Sequence, residues 1–243
     1  MNRDALRDWL ITNPLTLVTV LLFGISDALL WLLPPARRHL QANARFWSRR
    51  LLGAAGIRVQ ANGLEKIPRG APCVLASNHL SYADTPVWIA ALPVPFRFLA
   101  KESLFRVPVI GGHLRRGGHI GVRREDPRGA ARSLVEAVRQ IRDHGVSILL
   151  FAEGTRARGA LQDFKSGAAQ LAIRAGVPVV PLAIDGTDEA LPRGSFTLRP
   201  ARVRVAAGEP VPTAGLTARD RDSLTARLRE ETARLLDSIR RDA

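Results

Sequence analysis

Short apolar runs alternate with amphipathic stretches from Ile57 onward, and this alternation limits the fold more than any other feature of the sequence. The runs have the length of strands, and we predict strands over residues 57–60, 73–77, 96–100, 119–122, 146–151, 179–184 and 202–206. Strands that alternate with helices favour parallel neighbours. The sequence therefore predicts an α/β domain with a mixed, largely parallel sheet flanked by helices.

Helix start and stop signals mark the longest amphipathic stretches. The helix Pro127–His144 is bounded by Asp126 as the N-cap and by Gly145 as the C-terminal stop. Residues 166–175 and 218–241 carry similar apolar stripes and predict two further helices.

The run over residues 176–184 is apolar but contains Pro178 and Pro181. Proline has no N–H group to donate to a sheet, so it is found mainly in edge strands. We therefore expect this strand at the edge or the end of the sheet.

Residues 15–33 form the most apolar segment, flanked by Pro14 and by Pro34 and Pro35. At a rise of ~1.5 Å per residue this segment reaches roughly 28 Å, enough to cross the hydrocarbon core of a bilayer. Asp27 argues against a simple span, because an acid near the middle of a membrane costs about 2.5–3.5 kcal/mol. A shallow helix, or a polar partner for Asp27, would explain it better.

Residues 36–56 predict a second helix, at the membrane surface. One helical stripe contains Leu40, Ala44, Trp47 and Leu51, and five arginines occupy the stretch without an acid among them, namely Arg37, Arg38, Arg45, Arg49 and Arg50. This pattern predicts binding to an anionic leaflet, with Phe46 and Trp47 at headgroup depth. The arginines also predict that the following chain lies on the cytoplasmic face of the membrane, which would be the inner membrane in a bacterium. The alternative is an amphipathic helix docked on the domain. We divide the chain into a membrane-associated helical element, residues 1–56, and a globular domain, residues 57–243.

Composition limits the partners. The chain has 36 Lys and Arg residues against 22 Asp and Glu residues, a formal net charge of +14. This excess favours anionic partners, such as phosphorylated metabolites, acidic lipid headgroups or nucleic acid. Aromatic residues make up only 5% of the chain, which argues against a base-stacking surface, and we expect no nucleic-acid partner. The single Cys73 excludes an internal disulfide.

Asn78, His79 and Asp84 follow the predicted strand 73–77 and precede a helix start at Pro86. They lie in a strand-to-helix loop, where α/β scaffolds often carry catalytic side chains. An imidazole is a general base near neutral pH, and a carboxylate bonded to its far nitrogen would fix the tautomer. The alternative is that His79 packs the loop and Asp84 only caps the helix.

A second polar loop follows the predicted strand 146–151. It carries Glu153, Gly154, Thr155 and Arg156. The amides of Gly154 and Thr155 could bind an anion, Arg156 suits bidentate phosphate recognition, and Glu153 could orient Arg156 or accept a substrate hydroxyl. A solvated turn with a surface ion pair is the alternative.

A short strand over residues 119–122 delivers two adjacent arginines, Arg123 and Arg124. Neighbouring side chains on an extended chain point to opposite faces. One arginine can therefore enter a site while the other faces solvent.

In this order, these stretches resemble the 1-acylglycerol-3-phosphate acyltransferase family of glycerolipid acyltransferases. The matching blocks are Asn78 and His79 with Asp84, Gly118 through Arg124, Phe151 through Arg156 with Ala152 where the family has proline, and residues 177–181. Lys101, in Ala100-Lys101-Glu102, repeats a minor feature of the family. The resemblance covers roughly residues 55–212.

The resemblance implies acyl transfer from acyl-CoA or acyl-carrier protein to the free hydroxyl of a lysophospholipid, 1-acyl-sn-glycerol 3-phosphate. It makes residues 57–243 the catalytic domain, with His79 as the general base and Asp84 as its orienting partner. The substrate-binding residues that it implies are Asn78, Lys101, Arg124, Glu153, Gly154, Thr155 and Arg156. The expected partners are membrane lipids, the lysophospholipid and the thioester co-substrate, with no metal and no other cofactor. No covalent acyl-enzyme is required, and a Gly-x-Ser-x-Gly nucleophile motif is absent.

Two rival functions stay open at this point. The acceptor could be another lysolipid, for example lyso-ornithine lipid. Alternatively, the chain could be a non-catalytic basic module that binds anionic membranes or nucleic acid through its +14 charge.

Overall fold

The computed structural model describes residues 12–33, 36–123, 125–157 and 159–241. Its strands are β1 (Ile57–Asn62), β2 (Val74–Ser77), β3 (Phe96–Lys101), β4 (Ile120–Val122), β5 (Ser147–Phe151), β6 (Val179–Asp185) and β7 (Ala201–Ala207). They form one sheet in the order β1-β7-β6-β2-β5-β3-β4, and neighbouring strands are parallel except for the antiparallel pair β6 and β7. The predicted α/β fold with a largely parallel sheet is confirmed.

The helices lie on both faces of this sheet. They are α1 (Asn13–Leu30), α2 (Ala36–Ala54), α3 (Asp84–Ala91), α4 (Ile110–Arg116), α5 (Pro127–His144), α6 (Gly167–Ala175), α7 (Thr187–Ala190) and α8 (Arg221–Arg241). Leu75 and Leu149 pack with α2 and α3 on one face, whereas Ala76 and Ile148 pack with α5, α6 and α8 on the other. Alternate residues of β2 and β5 therefore enter two separate cores, and these central strands are apolar except for Ser77 and Ser147 at their ends.

The strand β6 is not at the edge of the sheet, as its prolines led us to expect, but lies between β7 and β2. Val179 exchanges both backbone hydrogen bonds with Val211, on the β7 side. By the two-residue period of a strand, the nitrogen of Pro181 faces the same side, where the chain bends between Ala207 and Val211. The proline therefore removes no bond from the ladder with β2.

Among the described residues, α1 is the one helix that is long and apolar enough to cross a bilayer by length and composition. Its acid, Asp27, is fully buried within the protein. One carboxylate oxygen lies 2.8 Å from Nδ1 of His113, and the other accepts a hydrogen bond from Arg116 at 3.0 Å. The expectation of a polar partner for Asp27 is confirmed.

Helix α2 docks on α1 and α3. The indole N–H of Trp47 donates to the Ser26 hydroxyl on α1 at 2.9 Å. Arg45 and Arg49 donate to the carbonyls of Leu92 and Ala90 at the end of α3. The docked-helix alternative therefore describes these two contacts, in which arginines bind carbonyls at the end of a helix. Binding of this helix to an anionic leaflet stays a prediction.

The other residues of the predicted surface helix include an exposed aromatic ring and two arginines whose side chains are not described. Phe46 remains half-exposed, and Arg50 lies over its ring. The side chains of Arg37 and Arg38 lie outside the described residues. The predicted boundary at residue 56 falls in the turn between α2 and β1, where Gly56 has φ of +71°.

Candidate active site

Two loops at the carboxyl ends of adjacent parallel strands form the candidate site. One follows β2 and carries His79, and the other follows β5 and carries Glu153 and Arg156. Parallel strands end at the same edge of a sheet, so the topology brings together loops that are more than seventy residues apart in sequence.

The His79 imidazole lies between a carboxylate and an aromatic ring. Its Nδ1 is 2.6 Å from Oδ2 of Asp84, the length of a charge-assisted hydrogen bond. Its ring stacks on Phe151 with the centroids 3.9 Å apart and an interplanar angle of 12°. With the Nδ1 hydrogen donated to Asp84, Nε2 carries the lone pair, so the geometry suits a general base.

Asp84 is the first residue of α3 and is fully buried. Besides His79, its Oδ2 accepts the backbone N–H groups of Leu80 and Ser81 at 2.8 and 3.1 Å. Its Oδ1 accepts the hydroxyl of Thr187, the first residue of α7. Four hydrogen bonds thus offset the desolvation of this carboxylate and fix its orientation.

Glu153 holds the backbone of His79. Its Oε1 accepts the His79 N–H at 2.8 Å, and its Oε2 accepts the Gln162 N–H at 3.0 Å. Burial raises the pKa of the Glu153 carboxyl, although these backbone hydrogen bonds oppose the rise. Among the described residues Glu153 forms no ion pair with Arg156, and both of its oxygens accept backbone amides, so the structure gives no support to the expectation that Glu153 orients Arg156.

The turn after Glu153 differs in part from the predicted anion site. Gly154 has φ of +74°, a conformation that favours glycine, and its N–H donates to the Phe151 carbonyl. Its amide is therefore used within the turn, contrary to our expectation that it could bind an anion. Thr155 is exposed beside it.

Arg156 lies over the ring of Tyr82, with Cζ 3.9 Å from the ring centroid. Tyr82 belongs to the loop between His79 and Asp84, so the guanidinium is on the same side as the candidate base. The next peptide N–H, of Ala157, donates to the carbonyl of His79 at 2.7 Å. The two loops are thus joined by hydrogen bonds at both backbone polar groups of His79, one to the Glu153 side chain and one from the Ala157 N–H.

The other predicted substrate-binding residues are engaged elsewhere or lie outside the description. The Asn78 side chain donates to and accepts from the backbone of Ile184, at 2.9 and 2.8 Å, which ties the ends of β2 and β6 together. Lys101 forms an exposed ion pair with Glu125 at 3.5 Å. Arg124 lies outside the described residues, and its neighbour Arg123 pairs with Glu102.

The sequence did not predict the contacts that three residues make in the site. They are Thr187, Tyr82 and Phe151, the last as a stacking partner of His79. Thr187 is 103 residues from Asp84 and becomes its neighbour only because β6 lies beside β2. Tyr82 and Phe151 were visible in the motifs, but no spacing rule relates either ring to its partner.

Comparison with known proteins identifies the family. The sequence model described as Acyltransferase matches residues 58–185, which include both loops of the site and more than half of the chain. The chain belongs to the acyltransferase family. Together with relatives that are named 1-acyl-sn-glycerol-3-phosphate acyltransferase, this match confirms the resemblance to that family.

Several relatives of this family member carry that activity in their names. A 1-acyl-sn-glycerol-3-phosphate acyltransferase of Borreliella burgdorferi is 30% identical over 78% of this chain and 76% of its own length. The chloroplastic enzyme BAT2 of Brassica napus is 36% identical over 63% of this chain and 45% of its own length. The chain therefore spans about half the length of the plant relatives that it matches.

The fold also has a solved counterpart. The crystal structure of the 1-acyl-sn-glycerophosphate acyltransferase PlsC from Thermotoga maritima superposes with a TM-score of 0.82 at 26% identity. The match covers 98% of this chain and 96% of that chain. It includes the N-terminal helices as well as the sheet.

Proposed function

We propose that this chain transfers an acyl group from acyl-CoA or acyl-carrier protein to the free hydroxyl of 1-acyl-sn-glycerol 3-phosphate, giving phosphatidic acid. The observation that carries the proposal is the 2.6 Å contact between His79 Nδ1 and Asp84, which leaves Nε2 as a base. The names of the relatives supply the acceptor.

In the proposed reaction, Nε2 of His79 takes the proton of the acceptor hydroxyl. The oxygen attacks the thioester carbonyl carbon, the C–S bond breaks, and the leaving thiolate takes the proton from the imidazolium to give a free thiol. Asp84 stabilises the imidazolium between these steps. The acceptor hydroxyl, the thioester and His79 supply all the reacting groups, so we expect no metal or further cofactor.

We assign the acceptor phosphate to cationic side chains. Arg156 is the main candidate, and the exposed Thr155 next to it offers a hydroxyl and an amide. Lys101 and Arg124 are further candidates. Asn78, Glu153 and Gly154 are reassigned from binding to positioning, because their polar groups are used by the backbone of the site.

A largely apolar cavity supports a lipid substrate, although Arg45, Arg97, His113 and His119 also line it. Its volume is about 680 Å³, and Leu40, Ile89, Phe96 and Phe98 are among the residues that line it. The Phe98 ring is 6.4 Å from Phe151, which stacks on His79, so the cavity wall continues towards the base. A long acyl chain would find apolar surface there.

We further propose that the chain works at a membrane, on the cytoplasmic face. The apolar side chains that α1 exposes, together with Phe46 on α2, would contact lipid. Both the lysophospholipid and the product have acyl chains, and removing such a chain from a bilayer costs ~0.8 kcal/mol per CH₂. A membrane-bound site avoids this cost.

The test measures thiol release from acyl-CoA and acyl-carrier protein with a panel of lysolipids, including a lyso-ornithine lipid. We expect turnover with lysophosphatidic acid and its loss, by a factor of at least about 10³, in His79→Ala, because the general base is removed. His144→Ala, an exposed histidine at the end of α5, is the matched control and should keep full activity.

Two outcomes would contradict the proposal. Full activity of His79→Ala would remove the assigned base. A non-catalytic membrane module would be favoured if no acceptor gave thiol release and if vesicle binding were salt-sensitive and equal in the parent and His79→Ala.

A further inference from the structure

Tyr82 is an aromatic side chain held at the surface of the site. It lies midway in the loop between the candidate base and its carboxylate, and 54% of its surface is exposed. Core packing therefore does not explain its position. Its ring instead provides the face on which the Arg156 guanidinium rests, with Cζ 3.9 Å from the centroid.

With its Cζ over the Tyr82 ring, the guanidinium keeps its N–H groups free to bind an anion. A cation over a ring uses the face of the guanidinium plane, whereas its N–H groups point outward along the edges. Within the described part of the chain, no carboxylate forms an ion pair with Arg156. By contrast, Lys101 and Arg123 are paired with Glu125 and Glu102. Among the described residues, the N–H groups of Arg156 therefore have no carboxylate partner, and Arg156 precedes the residue whose N–H donates to the His79 carbonyl.

The backbone around Arg156 is already fixed to the base. The Ala157 N–H donates to the His79 carbonyl, and Glu153 accepts the His79 N–H. What these hydrogen bonds do not fix is the direction of the long Arg156 side chain. The Tyr82 ring supplies that direction, because it supports the guanidinium from the loop that contains His79.

We propose that Tyr82 is a positioning residue that aims Arg156 at the anionic phosphate of the acceptor. The inference rests on the proposed function, and it adds a residue to which neither motif spacing nor family membership assigned a role. The ring acts through its face. We therefore expect Tyr82→Phe to keep the positioning of Arg156 and Tyr82→Ala to lose it.

The kinetic test compares Tyr82→Ala and Tyr82→Phe in mixed micelles. A cation–π contact at an exposed site corresponds to about a two- to fivefold change in binding. We expect Tyr82→Ala to raise KM for lysophosphatidic acid by that factor, with kcat and the KM for the thioester unchanged, and Tyr82→Phe to restore the KM. Phe196→Ala removes another exposed ring, 92% accessible, and should change nothing.

A second acceptor separates positioning from general damage. With 1-monoacylglycerol, which has no phosphate, Tyr82→Ala and the parent chain should give equal KM values. An equal rise for both acceptors, or no rise for lysophosphatidic acid, would overturn the proposal.

A spectroscopic test does not depend on turnover. Tyr82 is the only tyrosine in the chain, so incorporation of 3-fluorotyrosine gives a single ¹⁹F signal from the residue in question. We expect titration with glycerol 3-phosphate to shift this signal, and Arg156→Ala to abolish the shift. If the signal shifts but no acyl transfer to lysophosphatidic acid occurs, the proposed function is contradicted, while phosphate binding by Arg156 on Tyr82 is supported. If the signal stays unchanged at saturating ligand, the proposed role of Tyr82 is overturned.

Discussion

Asp84 is held by more groups than its partnership with His79 requires. Its two oxygens accept a histidine N–H, two backbone N–H groups and the Thr187 hydroxyl. A carboxylate with this many donors cannot rotate, so His79 is presented in one orientation. Thr187 is the member of this set that can be removed without touching the His79 loop.

Thr187→Val tests this constraint. Valine has the same shape but donates no hydrogen bond, and a hydrogen bond to a charged group is worth about 1.5–3 kcal/mol. We expect kcat to fall about tenfold while KM changes little, since substrate contacts remain. Thr187→Ser keeps the hydroxyl and should restore most of kcat in the same thiol-release assay, and wild-type kcat in Thr187→Val would refute the constraint.

Glu153 predicts a pH dependence of stability. Burial raises its pKa in the folded protein, so the folded state binds this proton more tightly than the unfolded state. Its contribution to the free energy of unfolding is therefore greatest below the ordinary pKa and declines as the pH rises through the raised value. Urea unfolding at a series of pH values should show this decline in the parent protein and a flatter profile in Glu153→Gln.

The control for this measurement is Glu230→Gln, which changes an exposed carboxylate on α8. It should leave the profile unaltered. An identical pH profile for the parent and Glu153→Gln would show that the buried carboxyl is not responsible.

At the scale of elements, the sequence predicted all seven strands and the Pro127–His144 helix. These elements have local signals, namely apolar runs of strand length and residues that cap or stop a helix. Helix α4 was missed because its seven residues include Gly111 and Gly112 and present no apolar stripe. The central position of β6 was missed because the direction of the Pro181 nitrogen depends on a partner, Val211, that is remote in sequence.

The attachment of α1 to the domain is the element-scale feature that mutation can test. Asp27→Ala leaves His113 and Arg116 without their carboxylate in a buried setting, and breaking such a pair costs about 3–5 kcal/mol. We expect a lower melting temperature in detergent and faster proteolytic cleavage between α1 and α2. Ile25→Ala, two residues away on the exposed side of the helix, should leave both unchanged. Equal protection of Asp27→Ala would contradict this attachment.

Across the whole molecule, polar chemistry and apolar surface occupy different regions. The carboxyl edge of the sheet carries the His79 and Glu153 loops, whereas α1 turns a row of large apolar side chains outward, including Leu17, Ile25 and Leu29. The sequence predicted the apolar segment and the polar motifs separately. Their arrangement could not be predicted, because it depends on the packing of α2 against both α1 and α3.

The outward face of α1 predicts how the molecule binds membranes. Replacing Leu17, Ile25 and Leu29 together by glutamine removes the three most exposed of the large apolar side chains on α1, and burial of such area in lipid stabilises binding by ~25 cal/mol per Å². We expect at least a tenfold weaker co-sedimentation with phosphatidylglycerol vesicles and unchanged turnover of a short-chain, water-soluble acceptor. Val135→Gln on α5, 61% exposed, is the control, and unaltered sedimentation of the triple variant would contradict the assignment.

The hydrogen bonds that link the two site loops also limit how this scaffold can be re-engineered. His79 donates its backbone N–H to Glu153 and receives the N–H of Ala157, so its main chain is shared between the segments 77–84 and 151–157. A chimera that imports only the second segment, to change headgroup preference, would also replace the support of the base. The two segments form one transplantable unit, and new acceptor specificity should be grafted with both.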